Sequence, residues 1–529
     1  MTVRLFWFLL PLVGCNGILG QVPARPTLSI GPCFIWAEQG TQVDVPFTVD
    51  RTNVQRLTVH ATSLPEGVTA TDVVLASDAS SGTLTLTASS AATLGATSSA
   101  IIQLLEATQV DDEAPLMVGV SGAPGTLDTT WGGTGVVKLP PLVNPTSNYV
   151  VDVDSQGRIV VAGTLVISDS DVRIVIARYN TDGALDDTFG DDGASSRLGY
   201  TVFNPGWATQ STFSTTPVAV RVDSEDRIVV ANTRGAGHCY AELGRWTASG
   251  AQDQDFKRFS TFEMNGTQFC GAAADLTIQP DGQIVLLAYW NFHDGMESLV
   301  QILDASDGSP TGTYHLVLDP SGTLTDQRMT QMVAVAVDDR GGFVMGGRQY
   351  SGTNWAGSGP GFGVIARLGD DGQRDASFGK NAYASWDSSV ASMFYDVAID
   401  PISKSIFGVG ENEDASLATI ARLDGTTGQP AGFGQKTLVT CPGGTGSVLT
   451  QVMFDCHDRI VATGPCGKDN VGYIASVRMS TDGVMDASWG TSGMSLVPGN
   501  SRGAKLGADG RLYVVGENDF TGAVWRLWP

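Results

Sequence analysis

Short apolar runs recur along this chain, and each follows a polar turn and ends in a small residue. Two clear copies are Asp154-Ser-Gln-Gly-Arg-Ile-Val-Val-Ala-Gly163 and Asp223-Ser-Glu-Asp-Arg-Ile-Val-Val-Ala-Asn232. Five further runs begin at Ile284, Phe343, Ile406, Ile460 and Leu512. Short runs rich in Val and Ile and bounded by turns predict β-strands. Their recurrence at a spacing of roughly 50 to 70 residues predicts a repeat architecture.

Three other segments recur with each run and add a strand each. An apolar strand comes before the turn, as at Val150. An Ala-Arg strand follows, as in Ile176-Ala-Arg-Tyr-Asn-Thr-Asp-Gly183, and then Leu185-Asp-Asp-Thr-Phe-Gly190 leads to a fourth strand. Four strands in each of seven units predict a seven-bladed β-propeller. The last unit lacks a fourth strand, so we predict that residues 135–139 pair with residues 523–529 and close the ring.

The pairing of an Ala-Arg-Tyr-Asn-x-Asp-Gly segment with a Leu-Asp-x-x-Phe-Gly segment resembles the delta-60 repeat. This repeat occurs in bacterial, often deltaproteobacterial, secreted proteins. The resemblance covers residues 122–529 and is weakest at Ile302-Leu-Asp-Ala-Ser-Asp-Gly308, where the Phe-Gly element is missing. It implies a propeller and names no activity, because one fold hosts many functions.

Residues 26–121 lack the repeat and show a different pattern. Apolar and polar residues alternate in Val43-Asp-Val-Pro-Phe-Thr-Val49 and in Gly82-Thr-Leu-Thr-Leu-Thr-Ala88. This alternation predicts a small antiparallel sandwich, and the segment resembles the immunoglobulin-like domains of bacterial surface proteins. The sequence therefore predicts an all-β protein with an immunoglobulin-like sandwich followed by a seven-bladed propeller.

The first residues are typical of an export signal. Arg4 precedes an apolar stretch, residues 5–13, that is too short to span a bilayer. The stretch ends in Leu12-Val13-Gly14-Cys15, which resembles the lipobox of bacterial lipoproteins. The resemblance implies cleavage before Cys15, lipidation of Cys15 and a linker over residues 16–25; an ordinary secretory peptide is the alternative.

Asn16 stands where many inner-membrane lipoproteins carry Asp, which favours the outer membrane, either periplasmic or surface-exposed. The lipid would be the only membrane anchor.

Charge narrows the range of partners. The formal net charge is −24, and this argues against nucleic acid, whose phosphates need a basic surface. We expect a monomer that recognises a protein or a glycan at the cell surface.

The cysteines are candidate disulfides, because export places them in an oxidising compartment. Propeller connections alternate between two faces, and this assignment brings Cys239 near Cys270 and Cys441 near Cys466. Cys33 and Cys456 are left either as a third pair or as two thiols.

The same alternation predicts where a ligand binds. The turns after the first and third strands of each unit are regular. The connections after the second and fourth strands are expected to be long and variable, and variable loops on a rigid scaffold usually carry binding. Candidate residues on this face are Trp207, Tyr350 and Trp355.

The sequence contains no recognisable catalytic motif. We find neither a Gly-x-Ser-x-Gly elbow nor a His-Glu-x-x-His helix, so no catalytic residue is assigned. Asp-rich turns, such as residues 152–157 and 186–192, offer oxygen atoms to Ca²⁺, but turn chemistry explains the same residues without a metal. The leading hypothesis is a binding module in the cell envelope. The alternatives are a lyase or hydrolase with carboxylates in the central channel and a structural component of a surface assembly.

Overall fold

A computed structural model describes most of the chain. The described residues are 25–31, 33–51, 55–140, 148–168, 171–190, 198–203, 214–235, 239–257, 259–260, 270–292, 295–316, 330–350, 361–380, 382–386, 389–413, 416–469, 471–519 and 521–529. All regular elements among them are β-strands, and these residues include no helix of the length and hydrophobicity needed to cross a membrane. The protein is all-β, as the sequence predicts.

The chain forms two compact units. The first ends at Val118 and excludes residues 93–95, and the second consists of Thr93–Gly95 and Gly119–Pro529. In the first unit, one sheet has the order β1-β3-β7-β5 and the other has the order β2-β9-β8-β4-β6. The strands are β1 (Thr27–Ile30), β2 (Ile35–Glu38), β3 (Gln42–Asp50), β4 (Leu57–Thr62), β5 (Val68–Ala70), β6 (Val73–Leu75), β7 (Ser81–Ala88), β8 (Thr97–Glu106) and β9 (Gln109–Ser121).

Alternate residues of these strands are buried. Val45, Phe47 and Val49 point inward from β3 while the residues between them are exposed. A side chain added at Gly82 in β7 would meet Phe47 and Leu75, and Leu75 belongs to the other sheet. The period-2 pattern of the sequence thus corresponds to two antiparallel sheets with a shared apolar interior.

The second unit contains seven four-stranded antiparallel sheets within the described residues. Six of them are consecutive meanders, β11 to β14, β15 to β18, β19 to β22, β23 to β26, β27 to β30 and β31 to β34, and the seventh has the order β10-β37-β36-β35. The strands are β10 (Val136–Lys138), β11 (Val150–Val153), β12 (Ile159–Ser168), β13 (Asp171–Tyr179), β14 (Tyr200–Phe203), β15 (Ser214–Val222), β16 (Ile228–Gly235), β17 (Cys239–Trp246), β18 (Phe259–Ser260), β19 (Cys270–Ile278), β20 (Ile284–Phe292), β21 (Gly295–Leu303), β22 (Pro310–Leu316), β23 (Thr330–Val337), β24 (Phe343–Tyr350), β25 (Gly361–Leu368), β26 (Tyr383–Ser385), β27 (Met393–Ile399), β28 (Ile406–Glu411), β29 (Ala418–Leu423), β30 (Pro430–Leu438), β31 (Gln451–Phe454), β32 (Arg459–Lys468), β33 (Val471–Ser480), β34 (Met494–Pro498), β35 (Asn500–Leu506), β36 (Leu512–Asn518) and β37 (Thr521–Leu527).

The first strands of these sheets surround a cavity. Each first strand contacts the first strand of the next sheet in chain order, and β35 contacts β11. The first strands line a cavity of about 790 Å³, which we call the channel. Adjacent sheets bury apolar faces against each other, as where Ile176 of β13 packs with Val230 of β16. Sheets arranged in this way around a central channel form a β-propeller.

The two ends of the second unit meet in one sheet. β10 pairs antiparallel with β37, with Val136 opposite Trp525 and Lys138 opposite Ala523. The predicted pairing of residues 135–139 with the C-terminal strand is therefore confirmed.

The recurring Ala-Arg and Leu-Asp-x-x-Phe-Gly segments link neighbouring sheets. Arg178 Nε lies 2.7 Å from Asp186 Oδ2, and its guanidinium stacks 4.6 Å from the centroid of the Phe189 ring. The same arginine donates to the carbonyl oxygen of Ala248 in the next sheet's turn. Arg245 repeats the arrangement with Asp253, Phe256 and Ala305. The most regular part of the repeat therefore holds sheets together, and this accounts for it without a ligand.

Candidate functional site

Five of the first strands carry a β-bulge where they face the channel. In each, the register with the second strand shifts by one residue. A bulge leaves one residue unpaired and turns its side chain away from the regular ladder. The residues at the five bulges are Val218, Ala274, Val333, Tyr395 and Arg502, and all of them line the channel. Three are small and apolar, so Tyr395 and Arg502 are the departures from the repeat.

Close backbone approach beside the bulges explains the glycine that ends three of the apolar runs. A Cβ at Gly347, Gly410 or Gly516 would overlap a carbonyl oxygen of the first strand. These carbonyls belong to Gln331, Met393 and Asn500, next to the bulges. The glycine is therefore needed for close backbone approach.

Tyr395 and Arg502 each contact a glutamate. Tyr395 Oη donates to Glu411 Oε1 at 2.6 Å, and Arg502 Nη2 lies 3.0 Å from Glu517 Oε1. Burial, followed by the hydrogen bond with Glu411, raises the pKa of Tyr395 above its ordinary value, so the phenol stays protonated. Both glutamates hold the same place, five residues after the start of the second strand.

Two neighbouring sheets place Tyr289 and Arg348 at this same position. Arg348 Nε donates to Gln331 Oε1 at 3.1 Å, and its guanidinium lies 4.5 Å from the centroid of the Tyr350 ring. Burial raises the pKa of Tyr289, while a hydrogen bond from Gln331 opposes the shift. Arg348 and Tyr350 also lie close enough to Tyr395 to affect its pKa. We call Tyr289, Gln331, Arg348, Tyr350 and Tyr395 the arginine–tyrosine cluster.

Ser501 also lines the channel, directly before the bulge at Arg502. The side chain is buried, at 4% exposure. Its hydroxyl has no hydrogen-bond partner among the described residues. A buried hydroxyl without a partner is costly unless water or a ligand satisfies it.

Three aspartates of the first strands also face the channel region, but backbone amides occupy their oxygens. Asp396 accepts from the amides of Val397 and Val452, each at 2.8 Å, and Val452 belongs to the next sheet. Asp275 and Asp152 are bonded in the same way, through Leu276 with Val335 and through Val153 with Val222. These carboxylates therefore join adjacent first strands.

The three aspartates differ in whether a cationic side chain lies beside them. Lys505 Nζ lies 2.8 Å from Asp152 Oδ1, and Arg221 Nη2 lies 3.2 Å from Asp275 Oδ1. Asp396 has no ion-pair partner among the described side chains. Asp396 is half-buried in the lining of the channel, where the surrounding protein limits its contact with water. This enclosure, and then the charge of Asp275, raises the pKa of Asp396 to about 7.

The Asp-rich turns considered for Ca²⁺ use their carboxylates locally. Asp154 Oδ1 accepts from the amides of Gln156 and Arg158, and its Oδ2 accepts from Arg158 Nε at 2.6 Å. Asp223 and Asp455 form the same contacts with Arg227 and Arg459. Turn chemistry alone explains why these aspartates recur.

Only one of the three residues predicted for the binding face, Tyr350, is among the described residues. Tyr350 is the last residue of β24 rather than a loop residue, while Trp207, Trp355 and Cys15 lie outside the described residues.

The expectation of long connections after the second strands is wrong for most sheets. The second and third strands extend as paired hairpins instead, as where Phe292 pairs with Gly295 and Lys468 with Val471. Among the seven connections between a second and a third strand, only the one from Tyr350 to Gly361 is long.

One predicted disulfide is present. Cys441 and Cys466 are bonded, with a Cα–Cα distance of 5.4 Å. The side chains of Cys239 and Cys270 lie outside the described residues, so their pairing stays a prediction. Cys33 lies in the first unit and Cys456 in the second, and both alternatives given for them, a third pair or two thiols, stay predictions.

The sequence motifs did not reveal the two polar residues at the bulges that line the channel. Tyr395 and Arg502 sit at bulges, and an extra residue leaves no mark in a single strand's sequence. A signal was nevertheless available, since aligning the second strands and reading five residues onward gives Tyr289, Arg348, Glu411 and Glu517, where other copies have Thr or Pro.

Comparison with known proteins identifies the fold. Residues 155–189 match the model of a family described as a domain of unknown function (DUF5122) beta-propeller. This segment runs from the turn after β11 to Phe189 and so contains one copy of the recurring motifs. The chain carries a β-propeller. No curated protein matches this propeller protein.

Solved structures give weak likenesses to this propeller protein. A protein of unknown function from Dyadobacter fermentans is 11% identical with a TM-score of 0.37, covering 74% of this chain and 99% of that chain. The polysaccharide lyase Uly1 is 10% identical with a TM-score of 0.37, covering 81% and 85%. A mutant of NanB sialidase from Streptococcus pneumoniae is 8% identical with a TM-score of 0.35, covering 92% and 83%.

Proposed function

We propose that this protein is a cell-envelope lipoprotein that binds a glycan at the mouth of its propeller channel. The proposal includes a lipid anchor at Cys15 in the outer membrane, an immunoglobulin-like sandwich, and a closed seven-bladed propeller of delta-60 repeats. The observation that carries the binding function is the pair of departures at the bulges, Tyr395 and Arg502. Both place polar groups on the channel at positions where the other bulges have small apolar residues.

The shape and chemistry of the channel favour a glycan over a protein surface. Its volume of about 790 Å³ lies within the range of about 300–1,000 Å³ that is typical of sites for small ligands. The side chains that line the channel supply hydrogen-bonding groups, and Ser501 adds a buried hydroxyl that has no partner among the described residues. A sugar has many hydroxyls and fits such a lining, whereas a folded protein presents a flatter surface.

Catalysis by the channel carboxylates is the second candidate. Asp396 favours it, because a pKa near 7 suits a general acid or base. Against it, both oxygens of Asp396 accept backbone amides, and this gives the residue a structural role that needs no substrate. Binding is therefore the function that the geometry supports better. A structural role in a surface assembly has no specific observation in its favour.

Binding is tested with the full chain on a panel of neutral and acidic polysaccharides, followed by calorimetry. The test variant combines Tyr395→Phe with Arg502→Gln. The matched control is Arg340→Gln, because Arg340 follows the first strand of its sheet in a turn away from the bulges and its side chain is 60% exposed. Each lost hydrogen bond to a charged group costs about 1.5–3 kcal/mol, so we expect the test variant to lose at least about tenfold in affinity. Binding to no polysaccharide, or equal loss in the control, would overturn the proposal.

A further inference from the structure

Arg348 is a half-buried cation without a carboxylate partner among the described side chains. Its guanidinium is instead oriented by two neutral groups, since Gln331 accepts from Nε at 3.1 Å and Tyr350 packs against one face of the plane. Glu411 belongs to the adjacent sheet but accepts from Tyr395.

Arg348, Gln331 and Tyr289 form a chain of hydrogen bonds in which some donors contact no described acceptor. Gln331 uses its carbonyl oxygen for Arg348, so its amide group is the part that bonds Tyr289. Tyr289 therefore accepts from Gln331, and no described residue accepts from its own O–H. Within the described residues, no hydrogen-bond acceptor contacts either Nη atom of Arg348, and these two atoms form one edge of a planar fork. The open groups in this part of the cluster are donors.

A planar arginine fork next to a phenol O–H suits an anion. Carboxylates and sulfates accept paired N–H bonds from arginine, and such charge-assisted bonds are stronger than neutral ones. Packing on Tyr350 fixes the guanidinium before the ligand arrives, which reduces the ordering cost of binding. We propose that the arginine–tyrosine cluster is an anion subsite, centred on Arg348, that recognises a carboxylate or sulfate group on the glycan. This inference rests on the proposed function.

Matched polymers test the charge requirement. The carboxylate pair is polygalacturonate and its methyl ester, and the sulfate pair is dextran sulfate and dextran. We expect the full chain to bind at least one charged polymer and to bind its uncharged counterpart at least about 30-fold more weakly, the loss expected when a buried charge partner is removed. Preference for polygalacturonate identifies a carboxylate, and preference for dextran sulfate identifies a sulfate.

Variants locate the charge recognition at the cluster. Arg348→Gln is expected to remove the preference for the charged polymer. Arg348→Lys is expected to restore part of it, because lysine keeps the charge but lacks the fork. Arg340→Gln, with the same charge change in the same sheet, should leave the preference intact. Circular dichroism and thermal unfolding check that each variant is folded.

The outcomes separate this inference from the proposed function. Equal affinity for charged and uncharged polymers, with loss in the Tyr395→Phe/Arg502→Gln variant, would overturn the anion subsite and leave glycan binding standing. An equal loss of preference in Arg340→Gln and Arg348→Gln would also overturn it. Binding to none of the polymers, charged or neutral, would overturn both.

Discussion

Asp128→Asn is expected to weaken the joint between the two ends of the propeller. Asp128 is fully buried. Its Oδ2 lies 2.7 Å from Arg526 Nε and 3.0 Å from Arg511 Nε, while its Oδ1 accepts from the amide of Thr130. Arg526 belongs to β37, the C-terminal strand, and also donates to the carbonyl oxygen of Thr181 at 2.7 Å. One carboxylate therefore joins the N-terminal part of the unit to its last strand.

The magnitude follows mainly from Arg526, because Arg511 keeps a second ion-pair partner, Asp509, at 2.8 Å. Removing one partner of a buried ion pair costs about 3–5 kcal/mol, because the remaining charge has no counter-ion. Asparagine keeps the Thr130 contact and the volume of the side chain, so the change isolates the charge. We expect a loss of about 3–5 kcal/mol in the free energy of unfolding, measured by urea denaturation with tryptophan fluorescence.

A matched variant separates the effect on ring closure from the effect of losing any one of the recurring aspartate–arginine contacts. Asp253→Asn removes the equivalent carboxylate of another sheet, which contacts Arg245 at 2.7 Å and is 14% exposed. It has a single arginine partner and joins no chain ends, so its cost should be smaller. Hydrogen exchange adds a local measure, because only Asp128→Asn should accelerate exchange of the β10 amides. An unfolding free energy for Asp128→Asn within about 1 kcal/mol of the wild type, or equal to that of Asp253→Asn, would refute this reasoning.

Three further predictions follow from the channel and its surroundings. For Asp396, whose pKa is raised to about 7 from about 3.9 in an unfolded chain, the stability contribution is fully present below about pH 4 and is lost as the pH rises through 7. Asp396→Asn should therefore flatten the fall in stability between pH 4 and 8 by up to about 4 kcal/mol, and equal slopes in both proteins would contradict the assignment. Removing the disulfide with Cys441→Ser/Cys466→Ser should lower the free energy of unfolding by about 2–4 kcal/mol relative to the oxidised wild type. The reduced wild type is the control, and its stability should match that of the variant. Gly410→Ala should cost about 1–3 kcal/mol because the new Cβ overlaps the Met393 carbonyl oxygen, whereas Gly467→Ala, whose Cβ would meet nothing nearer than 3.5 Å, should be nearly neutral in the same thermal unfolding assay.

The strands of the propeller were predictable because their pattern is local. β-branched runs between Asp and Gly turns mark the second strand of each sheet. Six of the seven begin at the predicted residue and the seventh, β32, begins one residue earlier, at Arg459. The pairing of β10 with β37 followed from counting strands. None of these inferences needs knowledge of distant contacts.

The features of the site were harder to predict because they depend on pairing. A bulge is a mismatch between two strands, so the turn of Tyr395 toward the channel has no signature in β27 alone. The connections after the second strands are shorter than expected because the second and third strands stay paired to their ends, as Ile284–Phe292 and Gly295–Leu303 do in β20 and β21. The bonding of Asp396 to Val452 likewise requires a neighbouring sheet that only the closed arrangement supplies.

In a repeat fold, the regular positions and the irregular ones carry different information. The arginine, aspartate and aromatic residue that recur from sheet to sheet are explained by contacts between sheets, as in Arg178 with Asp186 and Phe189. A ligand that occupies a single channel meets every sheet at once, and it distinguishes them only where their side chains differ. A ligand in the channel would therefore be recognised by positions that break the repeat. Tyr395 and Arg502 are two such positions on the channel lining, and Arg348 breaks the repeat near Tyr395. A residue that every copy shares is the wrong place to look for specificity, since it gives the same group to all sides of the ligand.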